Sequence, residues 1–236
     1  MLRRFLMKTK SIFLTLLCLV LVVSAYAFEY DFSDSKLIGE NNSAKGWKVI
    51  SGKWVIANGM YDQTELAGQE VAKDTNAFRS IFESSWVIKD GTVTMKVKHD
   101  AKSTGANDAL LLYRMVDNDN GYATRLQRDG YLTIGKITKG AYSHLKYTAS
   151  PVDADKVYTV TIKLNGNNID AYLDNKLLVS VTDASYDKGR IGLGVSRSGF
   201  PIHFLFVSAE GDGVPTGTTS VDHKGKLTTT WGDLKK

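Results

Sequence analysis

Cysteine is almost absent from this sequence of 236 residues, which contains a single one, Cys18. It lies in an apolar run, Ile12 to Val23, that follows a basic stretch and precedes Ala25-Tyr26-Ala27. A cationic start, a short apolar run and an A-x-A motif are together typical of a cleaved signal peptide. Met1 and Met7 begin equally good signals. We expect cleavage after Ala27, which would leave a mature chain without cysteine or disulfide.

No apolar run is long enough to cross a bilayer, which takes about 20 residues. The protein is therefore expected to be secreted, to the periplasm or the cell exterior, with no membrane attachment once residues 1–27 are removed. The chain that remains is long enough for one domain with its own core. Without disulfides, that core must supply the stability.

The sequence also lacks a basic patch. The formal net charge of the whole sequence is +5, and four of its positive charges are Arg3, Arg4, Lys8 and Lys10. The first 27 residues contain no acidic residue. The mature chain is therefore close to neutral, and basic residues are not interleaved with aromatic ones in it. This pattern excludes nucleic acid as an expected partner.

Residue patterns for catalysis are missing as well. A nucleophilic site needs Ser or Cys beside a positioned histidine, and the sequence gives His99, His144, His203 and His223 no such partner. Glycoside hydrolases flank the scissile bond with two carboxylates, and no segment has the Glu-x-Asp-x-Glu spacing that aligns carboxylates on one strand face. We predict no catalytic residue.

The run Asp117 to Gly121, DNDNG, has the composition of a calcium loop. An EF-type loop needs Gly at its sixth position and Glu at its twelfth, whereas here the fifth is Gly121 and the twelfth is Arg128. Asp, Asn and Gly all tolerate tight turns, so a connecting turn is the favoured interpretation. No cofactor is predicted, and a structural calcium at a sandwich edge stays open as an alternative.

Two-residue alternation of apolar and polar residues is abundant. TVTMKVKH (92–99), VYTVTIKL (157–164) and RIGLGVS (190–196) alternate in this way, and Asn-Gly or Asp-Gly pairs separate such segments. This pattern predicts half-buried strands joined by tight turns. We therefore predict an all-β fold over residues 28–210, an antiparallel two-sheet jelly-roll sandwich. Trp47 and Trp54 are expected in its core.

The C-terminal part has a different composition. Residues 211–226 are rich in Gly and Thr and are predicted to be a linker. In the tail, 227–236, Leu227, Trp231 and Leu234 have the spacing of one helix face. We expect a short helix that docks on the sandwich or binds a partner in the cell envelope, and a frayed tail is the alternative.

One predicted strand, ALLLYR, ends in Arg114 where a core strand would place an apolar residue. Strict alternation puts Arg114 on the face of Leu112, and it puts Arg125 and Gln127 together on the next strand. If 117–121 joins the two strands, these three polar side chains lie on one side of one sheet. There they can donate hydrogen bonds to sugar hydroxyls or to a carboxylate.

Tyr131 and Tyr172 are the predicted aromatic platforms at the margin of this site. The alternative is that Arg114 packs its stem along the sheet and keeps its head in water.

Three long segments, 46–61, 109–136 and 157–195, resemble the concanavalin A-like lectin/glucanase superfamily. Within it they are similar to laminin-G-like modules, levan-binding modules and 3-keto-disaccharide hydrolase-type domains. The resemblance covers about Phe28 to Glu210. It implies that Arg114 corresponds to the arginine that commonly ends this strand, and that Asp174-Asn175 corresponds to an Asp-Gly hairpin. The sequence departs from the superfamily at Phe204–Val207, which replaces the usual Phe-Asp-Asn-Val.

The resemblance implies a fold that hosts binders, hydrolases and adhesive modules. Because no paired-carboxylate strand and no cysteine or histidine site is found, the leading hypothesis is a secreted, non-catalytic carbohydrate-binding module that recognises an oligosaccharide or polysaccharide on one sheet face. Two alternatives remain at this stage. One is a hydrolase of the 3-keto-disaccharide or glycoside type, and the other is a structural or adhesive cell-surface protein.

Overall fold

The computed structural model describes residues 28–65, 78–103, 107–196 and 201–215. The predicted signal peptide and the predicted C-terminal helix lie outside these residues. Of the predicted linker only 211–215 is described, and there Val214 is buried among core residues.

The described residues form fifteen strands and two 3-10 turns, Ser35–Leu37 and Glu40–Asn42. The strands are β1 (Phe28–Asp31), β2 (Trp47–Val49), β3 (Trp54–Ala57), β4 (Met60–Gln63), β5 (Phe78–Phe82), β6 (Gly91–His99), β7 (Asp108–Met115), β8 (Gly121–Gln127), β9 (Tyr131–Thr138), β10 (Ala141–Ala149), β11 (Val157–Asn165), β12 (Asn168–Leu173), β13 (Lys176–Thr182), β14 (Arg190–Ser196) and β15 (Ile202–Gly211). No helix in the described ranges is long and apolar enough to span a membrane.

The strands make two antiparallel sheets. The eight-stranded sheet has the order β13-β12-β11-β6-β15-β4-β3, with β1 also paired to β15. The seven-stranded sheet has the order β10-β9-β8-β7-β14-β5-β2. Strands far apart in sequence, such as β7 and β14, are neighbours, as long connections in a jelly roll require. The predicted all-β jelly-roll sandwich is confirmed.

Tight turns join consecutive strands where the sequence predicts them. Asp174 and Asn175, between β12 and β13, have φ angles of 47° and 68°. Two consecutive left-handed residues are the requirement of a two-residue hairpin of type I′. The carboxylate of Asp174 also accepts a hydrogen bond of 2.9 Å from the backbone N–H of Thr159. This contact ties the turn to β11.

The main core lies between the inner faces of the two sheets. It includes an aromatic cluster in which the ring of Trp47 lies 5.7 Å from Tyr30 and the ring of Trp54 lies 5.0 Å from Tyr61. Trp47 and Trp54 are both buried, so their predicted place in the core is confirmed. Burial of each large ring contributes about 2–3 kcal/mol to folding.

A second apolar cluster fills the middle of the outer face of the seven-stranded sheet. Ile50 and Tyr142 pack over it. Its members are Ile81, Leu110, Leu112, Met115, Ala123 and Ile137. As a result β7 is buried on both faces, and space for a ligand is restricted to the margins of this face.

His99 is a fully buried polar residue at the end of β6. Its Nε2 lies 3.1 Å from the carbonyl oxygen of Asn107. Burial lowers its pKa to about 4, and the hydrogen bond to Asn107 only partly opposes this shift. The folded protein therefore keeps His99 neutral at pH values where the unfolded chain binds a proton.

We expect acid to destabilise the protein through His99. The stability linked to neutral His99 is complete above the unfolded pKa of about 6.5 and is lost as the pH falls toward the folded value. The loss is about 2 kcal/mol between pH 7 and pH 5. Urea denaturation at both pH values measures it, and His99→Gln should remove this part of the decrease.

His203→Gln is the matched control with the opposite sign. In the unmodified protein, the hydrogen bond between His203 and Asp62, 2.9 Å from Nδ1 to Oδ1, raises the pKa of His203. The contribution of His203 to the free energy of unfolding is therefore present at low pH and lost as the pH rises. His203→Gln removes that contribution, so the variant should lose more stability in acid than the unmodified protein. Equal pH dependence in the unmodified protein and His99→Gln would contradict the assignment.

Candidate ligand-binding site

Arg114 lies in a β-bulge, which changes the direction of its side chain. The register of β7 against β14 shifts by one residue at this point, and Arg114 has a φ of 48°. Met115, not Arg114, then joins Leu112 on the outer face. A Cβ at Gly189 would collide with the backbone of Arg114 and Met115, so the bulge needs glycine there. Strict alternation therefore predicted the wrong face for Arg114.

The side chain of Arg114 is only 1% exposed, and each of the three guanidinium nitrogens donates at least one hydrogen bond. Its Nε and Nη2 donate to the carbonyl oxygen of Lys89 at 2.9 and 2.7 Å. Nη2 also donates to Gly166 at 2.9 Å and to the carboxylate of Asp90 at 3.1 Å. Nη1 donates to the carbonyl of Tyr186 at 3.3 Å. Arg114 holds three loops together, and the prediction that it presents itself to a ligand is corrected.

Arg125 points to the outer face of the seven-stranded sheet, as alternation predicts. Its Nη2 lies 2.6 Å from the carboxylate of Asp108 and 2.7 Å from the hydroxyl of Ser196. Ser196 in turn donates to Asp108 at 2.7 Å. The side chains of Arg125 and Asp108 are 2% and 0% exposed. A buried ion pair is stable only when its members are hydrogen-bonded in this way.

Gln127 lies on the same face, two residues along β8. Its Nε2 is 3.5 Å from the carboxylate of Asp108, and its Oε1 accepts a hydrogen bond of 3.2 Å from Thr133. These two contacts orient the amide beside the Arg125–Asp108 pair.

Two exposed tyrosines lie beside the polar side chains of Arg125 and Gln127. Tyr131 begins β9 opposite Gln127, and Tyr147 on β10 lies opposite Thr133. The two rings are 5.8 Å apart and nearly perpendicular, at 82°, and they are 39% and 64% exposed as residues. His144 lies next along β10, 6.2 Å from the ring of Tyr147. A bulge between His144 and Lys146 keeps these rings close despite their odd spacing.

These side chains line an open cleft of about 290 Å³. Its lining residues are Arg125, Gln127, Asp129, Tyr131, His144 and Tyr147. Asp129 comes from the β8–β9 turn, which closes through a 3.0 Å hydrogen bond from the N–H of Gly130 to the carbonyl of Gln127. Rings and hydrogen-bonding groups converge here, as they do in small-ligand sites.

Tyr142 on β10 packs against Arg125 next to the cleft. Its ring lies over Gly135, where a side chain would collide with it, and it stacks on the guanidinium of Arg125 at 4.3 Å. Burial raises the pKa of Tyr142, and the neighbouring charge of Arg125 opposes this shift. Beneath the ring, a cavity of about 10 Å³ lined in part by Arg79 and Ser196 has room for about one water molecule.

Tyr172 does not belong to this site. It lies opposite Thr161 on the outer face of the other sheet, and the ammonium of Lys163 covers its ring at 4.8 Å. Of the five predicted site residues, the structure thus brings together Arg125, Gln127 and Tyr131, and it separates Arg114 and Tyr172 from them.

The DNDNG run is the connection between β7 and β8. The carboxylate of Asp117 accepts hydrogen bonds from the N–H of Asp119 at 2.7 Å and from the side chain of Asn120 at 2.8 Å. These are local turn contacts. In the part of the chain that the structure describes, no group of three His, Asp or Glu side chains is placed to hold a metal ion.

No protein-family model matches the chain. Among curated proteins it is similar to the levanase of Bacillus subtilis (strain 168), with 25% identity over 152 residues. This match covers 64% of the chain but only 21% of the levanase, so the chain spans about a fifth of that protein.

Among solved structures, the chain is similar to the carbohydrate binding module CBM66 from Bacillus subtilis. The TM-score is 0.60 and the identity 21%, over 71% of this chain and 96% of that module. It is also similar to the beta-glucanase of Bacillus licheniformis, with a TM-score of 0.54 and 16% identity over 78% and 97% of the two chains. These likenesses show that the chain has the same jelly-roll fold as these proteins, which is the fold that the sequence resemblance implies.

We expect Arg114→Ala to destabilise the protein by at least about 3 kcal/mol, because four buried or partly buried acceptors lose their donor. Chemical denaturation measures this loss. The control is Arg190→Ala on the neighbouring strand, where Nη2 lies 3.4 Å from the side-chain oxygen of Asn118, and the expected loss is below about 1 kcal/mol. A stable Arg114→Ala variant that fails to bind a ligand would restore Arg114 as a site residue.

Proposed function

We propose that the cleft between β8, β9 and β10 binds carbohydrate and that this chain is a secreted, non-catalytic carbohydrate-binding module. The proposal rests on the side chains of Tyr131 and Tyr147, whose exposed rings are nearly perpendicular and lie beside the hydrogen-bonding groups of Gln127 and Asp129. A sugar has apolar C–H faces and a rim of hydroxyls. An aromatic ring can pack against such a face while polar side chains bond the rim.

The shape of the cleft favours a sugar ring held at a corner. Because the rings of Tyr131 and Tyr147 meet at 82°, one forms a floor and the other a side wall. Asp129 can accept hydrogen bonds from sugar hydroxyls, and the amide of Gln127 can donate and accept them. Such a corner suits an oligosaccharide or a flexible chain of a polysaccharide better than the flat surface of a crystalline polymer.

The comparisons support carbohydrate as the ligand class. The similar solved module is a carbohydrate binding module, and the similar curated protein is a levanase. Levan is therefore the first polysaccharide to test. The levanase match covers a fifth of that enzyme, so its activity does not extend to this chain by similarity.

A hydrolase is the second candidate, because a beta-glucanase has the same fold. Glycoside hydrolysis needs two carboxylates that flank the scissile bond. The cleft lining holds one carboxylate, that of Asp129. The seven strands of the sheet contain one more, Asp108, which is buried in the ion pair with Arg125 and is not exposed to a substrate. The apolar cluster also fills the middle of this face. These observations favour binding over hydrolysis. An adhesive role would use the same cleft, with the glycan on a surface.

Removal of either exposed ring should weaken binding. We expect Tyr131→Ala and Tyr147→Ala each to reduce affinity for levan about tenfold or more, since truncation of a stacking anchor costs about 1.4 kcal/mol or more. Titration calorimetry measures the affinity, and thermal unfolding should change little because both rings are exposed.

Tyr172→Ala is the matched control, because it removes a tyrosine from the outer face of the other sheet. We expect its affinity to equal that of the unmodified protein. Loss of binding in Tyr172→Ala with none in Tyr147→Ala would move the site to the eight-stranded sheet and overturn this assignment.

The binding function also predicts no turnover. Prolonged incubation with levan, a β-glucan or a 3-keto-glucoside should release no product detectable by mass spectrometry. Release of product that disappears in Asp108→Asn, with the fold retained by circular dichroism, would establish the hydrolase instead.

A further inference from the structure

The positive charge at the floor of the cleft is neutralised. Arg125 is the cation that lines the cleft among the described residues, and the carboxylate of Asp108 lies 2.6 Å from its guanidinium. Both side chains are almost fully buried, so their charges cancel at short range. The pair presents no net charge to a ligand.

Three other basic residues, in the β8–β9 turn and on strands β9 and β10, make their contacts away from the cleft. Arg128 donates to the backbone carbonyl of Val152. Lys136 lies 3.3 Å from the carboxylate of Asp183, and Lys146 donates to the backbone carbonyl of Ser180 at 3.3 Å. These cations are bound by acceptors outside the cleft lining.

Asp129 is the remaining charged side chain of the lining. It is exposed at the β8–β9 turn, and no ion pair within 4.0 Å joins it to a basic side chain of the described residues. With the Arg125–Asp108 pair neutral, the cleft carries the single negative charge of Asp129.

We infer that Asp129 is a specificity-determining residue that excludes anionic glycans, namely uronate-containing, sulfated and phosphate-bearing chains, and admits neutral or amino-bearing ones. The inference rests on the proposed carbohydrate-binding function. An anionic group in the cleft meets the like charge of Asp129, which no ion pair within 4.0 Å offsets among the described residues. Placing like charges together in this way rejects a wrong partner effectively.

The test compares levan with two derivatives of the same polymer, a lightly carboxymethylated one and a hydroxyethylated one that controls for bulk. Titrations are made at pH 8, above the ordinary pKa of histidine, and in about 10 mM and about 1 M salt, where the Debye length is about 30 Å and about 3 Å. The variants are Asp129→Asn and, as a charge-matched control on the far side of the fold beside β3, Glu40→Gln.

In low salt, the unmodified protein should bind carboxymethyl-levan at least about fivefold more weakly than hydroxyethyl-levan. High salt and Asp129→Asn should each remove most of this difference, and Glu40→Gln should not. The quantity compared between proteins is the ratio of the two derivatives' affinities, so a change in the affinity of Asp129→Asn for unmodified levan does not enter the test.

Equal binding of the two derivatives by the unmodified protein would overturn the charge selectivity and leave carbohydrate binding in place. A difference that persists in Asp129→Asn would also overturn it, since the charge would then lie elsewhere. Failure of levan and of a broad panel of neutral glycans to bind would instead overturn the proposed function, and the selectivity with it.

Discussion

A guanidinium buried in a β-sandwich must keep a counter-charge and an acceptor for its N–H groups, or it destabilises the fold by several kcal/mol. Two arginines of adjacent strands impose this constraint here. Arg114 meets it with backbone carbonyls and Asp90, and in doing so fixes the positions of three loops. Arg125 meets it with Asp108 and Ser196. The first arrangement closes one end of the sandwich, and the second forms the floor of a cleft.

The Arg125–Asp108 pair also helps to determine where a ligand site can exist on the outer face of the seven-stranded sheet. The middle of the outer face is occupied by an apolar cluster and by Tyr142, whose ring stacks on Arg125. Open space remains at the margin, along the edge strand β10. There the rings of Tyr131 and Tyr147 are exposed beside the paired charges. Proteins that bind carbohydrate and proteins that cleave it have this fold, so the fold alone does not identify a function, and the proposal rests on the residues of this margin.

The sequence predicts the strands and their faces well wherever alternation is unbroken. Strand β11 alternates in burial along its whole length, and Arg125 and Gln127 share a face for the same reason. Prediction fails at bulges, because one extra residue reverses every later assignment and the pattern itself does not mark the place. Arg114 was assigned to the wrong face through one bulge. His144 and Tyr147 were missed, and a bulge on β10 lies between them.

Two other failures have different causes. Tyr172 does point outward from its strand, as alternation indicates, but alternation does not tell which of two sheets a strand joins, and β12 belongs to the other sheet. Asp129 begins an Asp-Gly pair, which predicts a turn and does not by itself indicate a site. Its place in the cleft depends on the rings that β9 and β10 bring beside it, and the bulge on β10 hides the position of those rings from an alternation pattern.

The central claim, that the margin of β8, β9 and β10 is a carbohydrate site, is tested most directly by NMR titration of the ¹⁵N-labelled protein with a levan oligosaccharide. The account predicts that the backbone amide signals that shift cluster at Gln127, Asp129, Tyr131, His144 and Tyr147, and that those of Thr161 and Tyr172 stay unchanged. Shifts confined to the outer face of the eight-stranded sheet, or no shifts with any of a broad set of neutral oligosaccharides, would contradict it.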